Sequence, residues 1–180
     1  SATVHFPIWH QEIEDILVLK NNKGTEDNRV RKLDYSIQVS KLFYERFIKD
    51  EDITLFSPHE CPDLYEAFGM PEFDEMYEKY ERKTSISKQK VRAQTLFMDL
   101  LKERAETGRI YIMNIDHCNT HSSFKDKVYM SNLCQEITLP TTPIKHIDDP
   151  DGEIALCILS AINLGLIREK DELKDLCDLS

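Results

Sequence analysis

An α/β fold with mainly parallel strand neighbours is predicted by three observations. Runs at 4–8, 53–56, 109–115, 131–139 and 154–164 have the apolar or alternating character of strands. Between most of them lie stretches whose apolar residues recur at helical spacing, and strands separated by helices mark parallel pairing. The run Arg109-Ile110-Tyr111-Ile112-Met113-Asn114-Ile115 is mostly apolar on both faces, which suits a sheet covered on both sides.

Val4 to Ile8 reads as the first strand, running into a helix over 9–20. Ile13, Ile16, Leu17 and Lys20 recur at helical spacing, and Glu12, Glu14 and Asp15 stand early, where the helix dipole favours them. Asn21-Asn22-Lys23-Gly24 ends that helix, and Thr25 to Arg31 is a polar loop. A second helix is predicted from Asp34 or Ser36 to Lys49, with Val39, Leu42, Phe43 and Phe47 as its buried stripe. Ile53 to Phe56 is extended, and Ser57-Pro58-His59-Glu60 opens a turn or helix. Phe73, Met76, Tyr77 and Tyr80 mark a third helix, their aromatic stripe reading as packing. The longest helix is predicted over 87–107, with Ser87 as N-cap, Leu96, Phe97, Leu100 and Leu101 on its apolar face, and Gly108 as its stop. After the strand at 109–115, a run of similar character covers 154–164, and a last helix occupies 170–179.

A chain of 180 residues can bury one sizeable core, and 41% apolar with 31% charged residues is an ordinary globular balance. The net charge of -10 argues against a binder of duplex nucleic acid, which needs a basic surface. No apolar run approaches the roughly 18 residues of a membrane span, and the first residues lack a signal-peptide pattern. Five scattered cysteines do not make a secreted disulfide framework, so a reducing cytoplasm is expected.

The stretch Ser131-Asn132-Leu133-Cys134-Gln135-Glu136-Ile137-Thr138-Leu139 alternates. Leu133, Ile137 and Leu139 fall on one side, and Asn132, Cys134, Glu136 and Thr138 on the other. Side chains two apart on a strand lie about 7 Å from each other on one face. An amide, a thiol and a carboxylate would then converge: a hydroxyl-orienting group, a source of a hydrogen atom or electron, and a proton acceptor. The same alternation also marks a half-buried strand with its polar side in water, as in a non-catalytic interaction module. Cys134 and Cys157 fall on two candidate strands joined by the Pro140–Glu153 connection, and strands so joined can be neighbours.

Other constellations are weaker. His117, Cys118, His121 and His146 lack the second ligand pair that zinc requires. No glycine-rich phosphate loop exists, and Asp148-Asp149-Pro150-Asp151-Gly152-Glu153 lacks the register of a calcium loop. Cys61 and Cys177 are isolated and read as packing or surface positions.

Several separated blocks resemble the large (alpha) subunit of class I ribonucleotide reductase, most like its bacterial and phage branch. They are Ser1-Ala2-Thr3-Val4-His5-Phe6-Pro7-Ile8-Trp9-His10, Leu19-Lys20-Asn21-Asn22-Lys23-Gly24, Leu55-Phe56-Ser57-Pro58-His59 and the text from Thr107 to Asn119. To these add Asn132-Leu133-Cys134-Gln135-Glu136, and Gly152-Glu153-Ile154-Ala155-Leu156-Cys157. The resemblance implies part of a ten-stranded α/β barrel with a central finger loop, so that some of 131–139 would be finger rather than strand. It implies that Cys134 becomes a thiyl radical, that Glu136 is the general base at the 3'-hydroxyl, and that Asn132 hydrogen-bonds the sugar hydroxyls. Cys157 would be one member of a redox pair whose partner lies upstream of this chain.

The resemblance further implies a single catalytic segment over 1–180. The N-terminal nucleotide-sensing cone, the second half-barrel and the C-terminal cysteine tail would lie outside it, and the segment alone would be inactive. Implied partners are the remaining alpha segments, a second alpha subunit, a metal-containing small (beta) subunit that supplies the radical, thioredoxin or glutaredoxin, and a ribonucleoside diphosphate substrate. No cofactor or metal is expected on this segment, ATP and deoxynucleotide effectors binding elsewhere. No nucleic-acid or membrane partner is expected.

Overall fold

A computed structural model describes residues 2–21, 23, 25–155 and 159–179. The chain divides into two compact units, Ser1–Pro140 and Thr141–Ser180. In chain order the first holds β1 (Thr3–Pro7), α1 (Ile13–Leu17), β2 (Asp34–Val39), α2 (Lys41–Lys49), β3 (Asp52–Phe56) and α3 (Pro62–Ala67). There follow α4 (Phe73–Arg82), β4 (Lys88–Arg92), α5 (Ala93–Thr107), β5 (Ile110–Asn114) and α6 (Ile115–Thr120). The second unit holds a 3-10 turn at Leu164–Leu166 and α7 (Lys170–Leu179). Among the described residues no helix is long and apolar enough to cross a membrane.

The α/β prediction with parallel neighbours holds. β1, β2 and β5 form a parallel sheet in that order, with Ser36 opposite both His5 and Tyr111, and Gln38 opposite Pro7 and Met113. β3 and β4 pair antiparallel, Ile53 facing Val91. Period-2 alternation gives the parallel sheet two different faces. One carries Tyr35, Ile37, Val39 and Ile110, all within the buried core. The other carries His5, Ser36, Gln38 and Met113. α5 packs on α1, α2 and β5, and an aromatic group of Trp9, Phe68, Phe73, Tyr77 and Phe56 fills the space beside α4.

Five element assignments differ from the sequence reading. The helix expected over 9–20 shortens to α1, because residues 8–11 are held by backbone bonds elsewhere. Ile8 N donates to Gln38 O (2.8 Å), Phe56 N to Trp9 O (2.8 Å) and Gln11 N to Phe56 O (2.8 Å). Residues 34–39 are strand, not helix: β1 and β5 both offer ladder partners, and α2 starts only after Ser40, whose backbone is extended. Residues 88–92 are also strand, because β3 needs a partner, and Ser87 instead donates its N–H to Glu60 Oε2 (3.2 Å). Gly108 does end α5, at φ +65 with its N–H on Arg104 O (2.8 Å). Residues 131–139 and the described part of 154–164 are not strands; the former is an irregular segment, and in the latter only Leu164, the first residue of the 3-10 turn, is in a regular element.

Candidate active site

The polar face of the parallel sheet poses a solvation problem, because Ser36 and Gln38 are 0% and 1% exposed. Buried hydroxyl and amide groups need partners. The segment from Val128 to Ile137 supplies them by crossing that face. Gln38 Nε2 donates to Tyr129 O (2.5 Å), His5 Nε2 contacts Ser131 O (3.1 Å), and Thr3 Oγ1 donates to Leu133 O (2.6 Å). Ser36 Oγ donates to Gln135 Oε1, and Gln135 Nε2 donates to Ile112 O (2.8 Å). All three strands therefore hold this segment, through side chains rather than through a ladder.

Within it, residues 132–135 form a tight turn closed by Gln135 N donating to Asn132 O (3.2 Å). Cys134 is the third residue of that turn. Gln135 follows with φ +63, a left-handed conformation that costs a residue bearing a Cβ about 1–2 kcal/mol. The outgoing limb is tied back by Ile137 N donating to Asn132 Oδ1 (3.1 Å), and Ser131 Oγ donates to Asn132 Oδ1 (3.2 Å) and to Ile137 O.

The residues singled out from sequence thus sit on one loop, but not as predicted. The even alternation of a strand is absent: the turn brings Leu133 to 38% exposure, where the pattern required burial. Cys134 and Glu136 are exposed, and Asn132 is half-buried with its side-chain oxygen already engaged by the loop. Because Cys134 is on a turn, the picture of two neighbouring strands bearing Cys134 and Cys157 fails. Cys157 itself lies outside the described residues. Sequence reading missed Thr3, His5, Ser36, Gln38 and Gln135. The available signal was the alternation Tyr35-Ser36-Ile37-Gln38-Val39, a strand whose polar side needs a cover.

Electrostatics separate the thiols. Burial pushes Cys61 up to about 12, with Asp63 and Glu60 adding to it; its Sγ–H donates to Ser57 O (3.1 Å). Burial also raises Cys118. Neither is poised as a thiolate. Burial lowers His5 despite the contact with Ser131 O, so its ring stays neutral beside the loop. A cleft of about 330 Å³ opens next to Gln135, bounded by Ile112, Asn114, His117, Cys118 and Thr138 among others. Among the described residues no three His, Cys, Asp or Glu side chains are placed to hold a metal.

Comparison with known proteins joins these observations. The family model of the ribonucleotide reductase barrel domain matches residues 1–179. The chain is 55% identical over 185 residues to the ribonucleoside-diphosphate reductase subunit alpha of Buchnera aphidicola from Schizaphis graminum, covering 100% of this chain and 24% of that protein. It is 57% identical over 176 residues to the Haemophilus influenzae subunit alpha (95% and 23% covered) and 43% identical over 187 residues to that of Enterobacteria phage T4 (99% and 24% covered). The chain spans about a quarter of the length of these relatives. By this match along its whole length, the chain belongs to the ribonucleotide reductase barrel-domain family.

Proposed function

We propose that this chain is the catalytic segment of a class I ribonucleoside-diphosphate reductase alpha subunit, working only with the rest of that subunit. The observation that carries the reading is the turn 132–135, which presents Cys134 at its apex while three parallel strands hold its limbs. A group that must abstract a hydrogen atom needs such a fixed mount. The remaining alpha segments, including the N-terminal cone, the second half-barrel and the C-terminal tail, would close over the turn and dry it, which a carbon radical requires. The radical is supplied by the metal-containing small subunit. The assembly includes a second alpha subunit, and thioredoxin or glutaredoxin restores the reducing thiols.

The Cys134 sulfur radical takes the 3'-hydrogen atom of the ribonucleoside diphosphate, forming S–H and a C3' radical. Glu136 accepts the 3'-hydroxyl proton, one thiol of the redox pair gives its proton to the 2'-hydroxyl, which leaves as water, and Asn132 orients the hydroxyls. This leaves a 3'-ketone with the radical at C2'. The other thiol of the pair, formed by Cys157 and an upstream cysteine, gives a hydrogen atom to C2'. The two sulfurs join as a disulfide and pass the remaining electron to the ketone, while Glu136 returns its proton to the 3'-oxygen, which restores a C3' radical. Cys134 then returns its hydrogen atom to C3', regenerating the sulfur radical. The net change is ribonucleotide plus two thiols to deoxyribonucleotide, disulfide and water.

Cys134→Ser, placed in the full-length alpha subunit with its small subunit, tests this directly. Deoxynucleotide formation is expected to disappear while substrate binding stays nearly intact. Turnover at the unsubstituted rate would end the assignment.

A further inference from the structure

We infer that Gln135 is a positioning residue for Cys134, a role that rests on the catalytic reading above. A tight turn that needs φ +63 at one residue is most cheaply built with glycine there. This chain instead carries a residue with a long polar side chain, and every polar atom of that side chain's amide is used. Its oxygen accepts from Ser36 Oγ on β2, and its nitrogen donates to Ile112 O on β5 at 2.8 Å. The two partners lie on adjacent strands, Ser36 being paired with Tyr111, the neighbour of Ile112. The amide therefore straddles the β2–β5 pair and locks the turn in both directions parallel to the sheet.

The backbone of Gln135 closes the same turn through its N–H on Asn132 O (3.2 Å). One residue thus couples the turn's internal geometry to its seat on the sheet, directly after the sulfur-bearing position. An uncommon conformation kept at a site, with the side chain fully engaged, marks strain retained for a purpose. The purpose assigned here is the distance and direction from the Cys134 sulfur to the sugar C3'. Thr3 holds only the carbonyl of Leu133, on the incoming limb, and His5 only that of Ser131. The outgoing side of Cys134 has Gln135 as its hold on the strands.

The experiment uses the full-length alpha subunit with its small subunit and compares Gln135→Leu, Ser36→Ala and the double variant, with Cys134→Ser alongside. Gln135→Leu keeps the bulk and loses both bonds. It is expected to lower kcat by about 10- to 100-fold, the scale of an ångström misplacement, with KM for the diphosphate nearly unchanged. The deuterium isotope effect on kcat for 3'-deuterated substrate should rise as hydrogen-atom transfer becomes slower than the other steps. Ser36→Ala should give a smaller effect of the same kind, and the double variant less than the product of the two, because both act through one contact. A normal kcat and isotope effect in Gln135→Leu, a change confined to KM, or independent effects of the two substitutions would each overturn the positioning role. If Gln135→Leu does not fold, Ser36→Ala alone decides by its isotope effect. Turnover retained by Cys134→Ser would sink the catalytic reading itself, whereas an inactive Cys134→Ser beside an unaffected Gln135→Leu would sink only this inference.

Discussion

Glu81 accepts two hydrogen bonds from Arg46, each 2.6 Å, and a third from Thr54 Oγ1 at 2.6 Å, with side-chain exposures of only 19% for Glu81 and 12% for Arg46. Desolvation acts to raise the carboxyl's pKa, but the bonds from Arg46 and Thr54 and the guanidinium charge outweigh it and hold the group below its ordinary 4.5. The folded chain therefore binds fewer protons here than the unfolded chain in acid. The stabilisation is complete above pH 4.5 and is lost as pH falls through the lower folded value. Glu81→Gln should cost about 3 kcal/mol at neutral pH, by leaving a buried guanidinium without its counter-charge. Its urea midpoint should also fall less steeply than the parent's below pH 4.5. Equal acid slopes in parent and variant would show that Glu81 is not the group responsible. The same residue-level logic makes Asn132 a poor single probe of the substrate contact proposed for it. Its side-chain oxygen ties the loop base through Ile137 N, so removing it disturbs the mount of Cys134 whatever it does to a ligand.

Elements were legible where local rules suffice. Gly108 as the stop of α5 follows from φ alone, and its missing Cβ would meet nothing within 4 Å. Gly108→Ala is accordingly expected to cost about 1 kcal/mol, purely from backbone strain. Gly69, at φ +83, differs: an added Cβ would lie 2.7 Å from Ile115 Cγ1 and 3.3 Å from Ile115 O on α6. Gly69→Ala should cost more, about 2–4 kcal/mol, because strain and overpacking combine. Thermal melts of the two variants check the order, and equal losses would contradict the packing at Gly69. Elements were illegible where two periodicities overlap or where the partner is distant in sequence. Leu42, Phe43 and Phe47 are a true helical stripe on α2, and extending it backwards to Val39, which is the last residue of β2, hid the alternation of that strand. β4 has little apolar pattern of its own and exists because β3 offers it a ladder. The loop at 131–139 alternates as a strand would, yet its bonds go to side chains on β1 and β2 and to a backbone carbonyl of β5, which no local pattern encodes. The motif around Cys134 was readable as a family likeness, whereas the side chains that hold it were not.

On the scale of the whole molecule, the parallel sheet has unmet bonding capacity at its edges. Its order β1-β2-β5 makes β1 and β5 the outer strands, and among the described residues no further strand pairs with either. Parallel sheets are normally covered and extended on both sides, and an open strand edge is a template for another chain. The two edges are not equivalent. Arg104 Nη1 donates to Ile110 O and Gln135 Nε2 to Ile112 O, so two acceptors of β5 are already taken. β1 has Thr3 and His5 engaged only through their side chains, on the polar face rather than along the edge. The 180-residue chain alone is therefore expected to self-associate through β1 as its concentration rises. Light scattering on a size-exclusion column should show mass growing with loading, and amide exchange should become slower at 3–7 than at 110–114 in the associated fraction. Adding the remaining alpha-subunit segments should suppress the association by occupying the same edge. A chain that stays monomeric at on the order of 100 μM, with exchange at 3–7 unaffected by concentration, would show that this edge is satisfied within the chain itself.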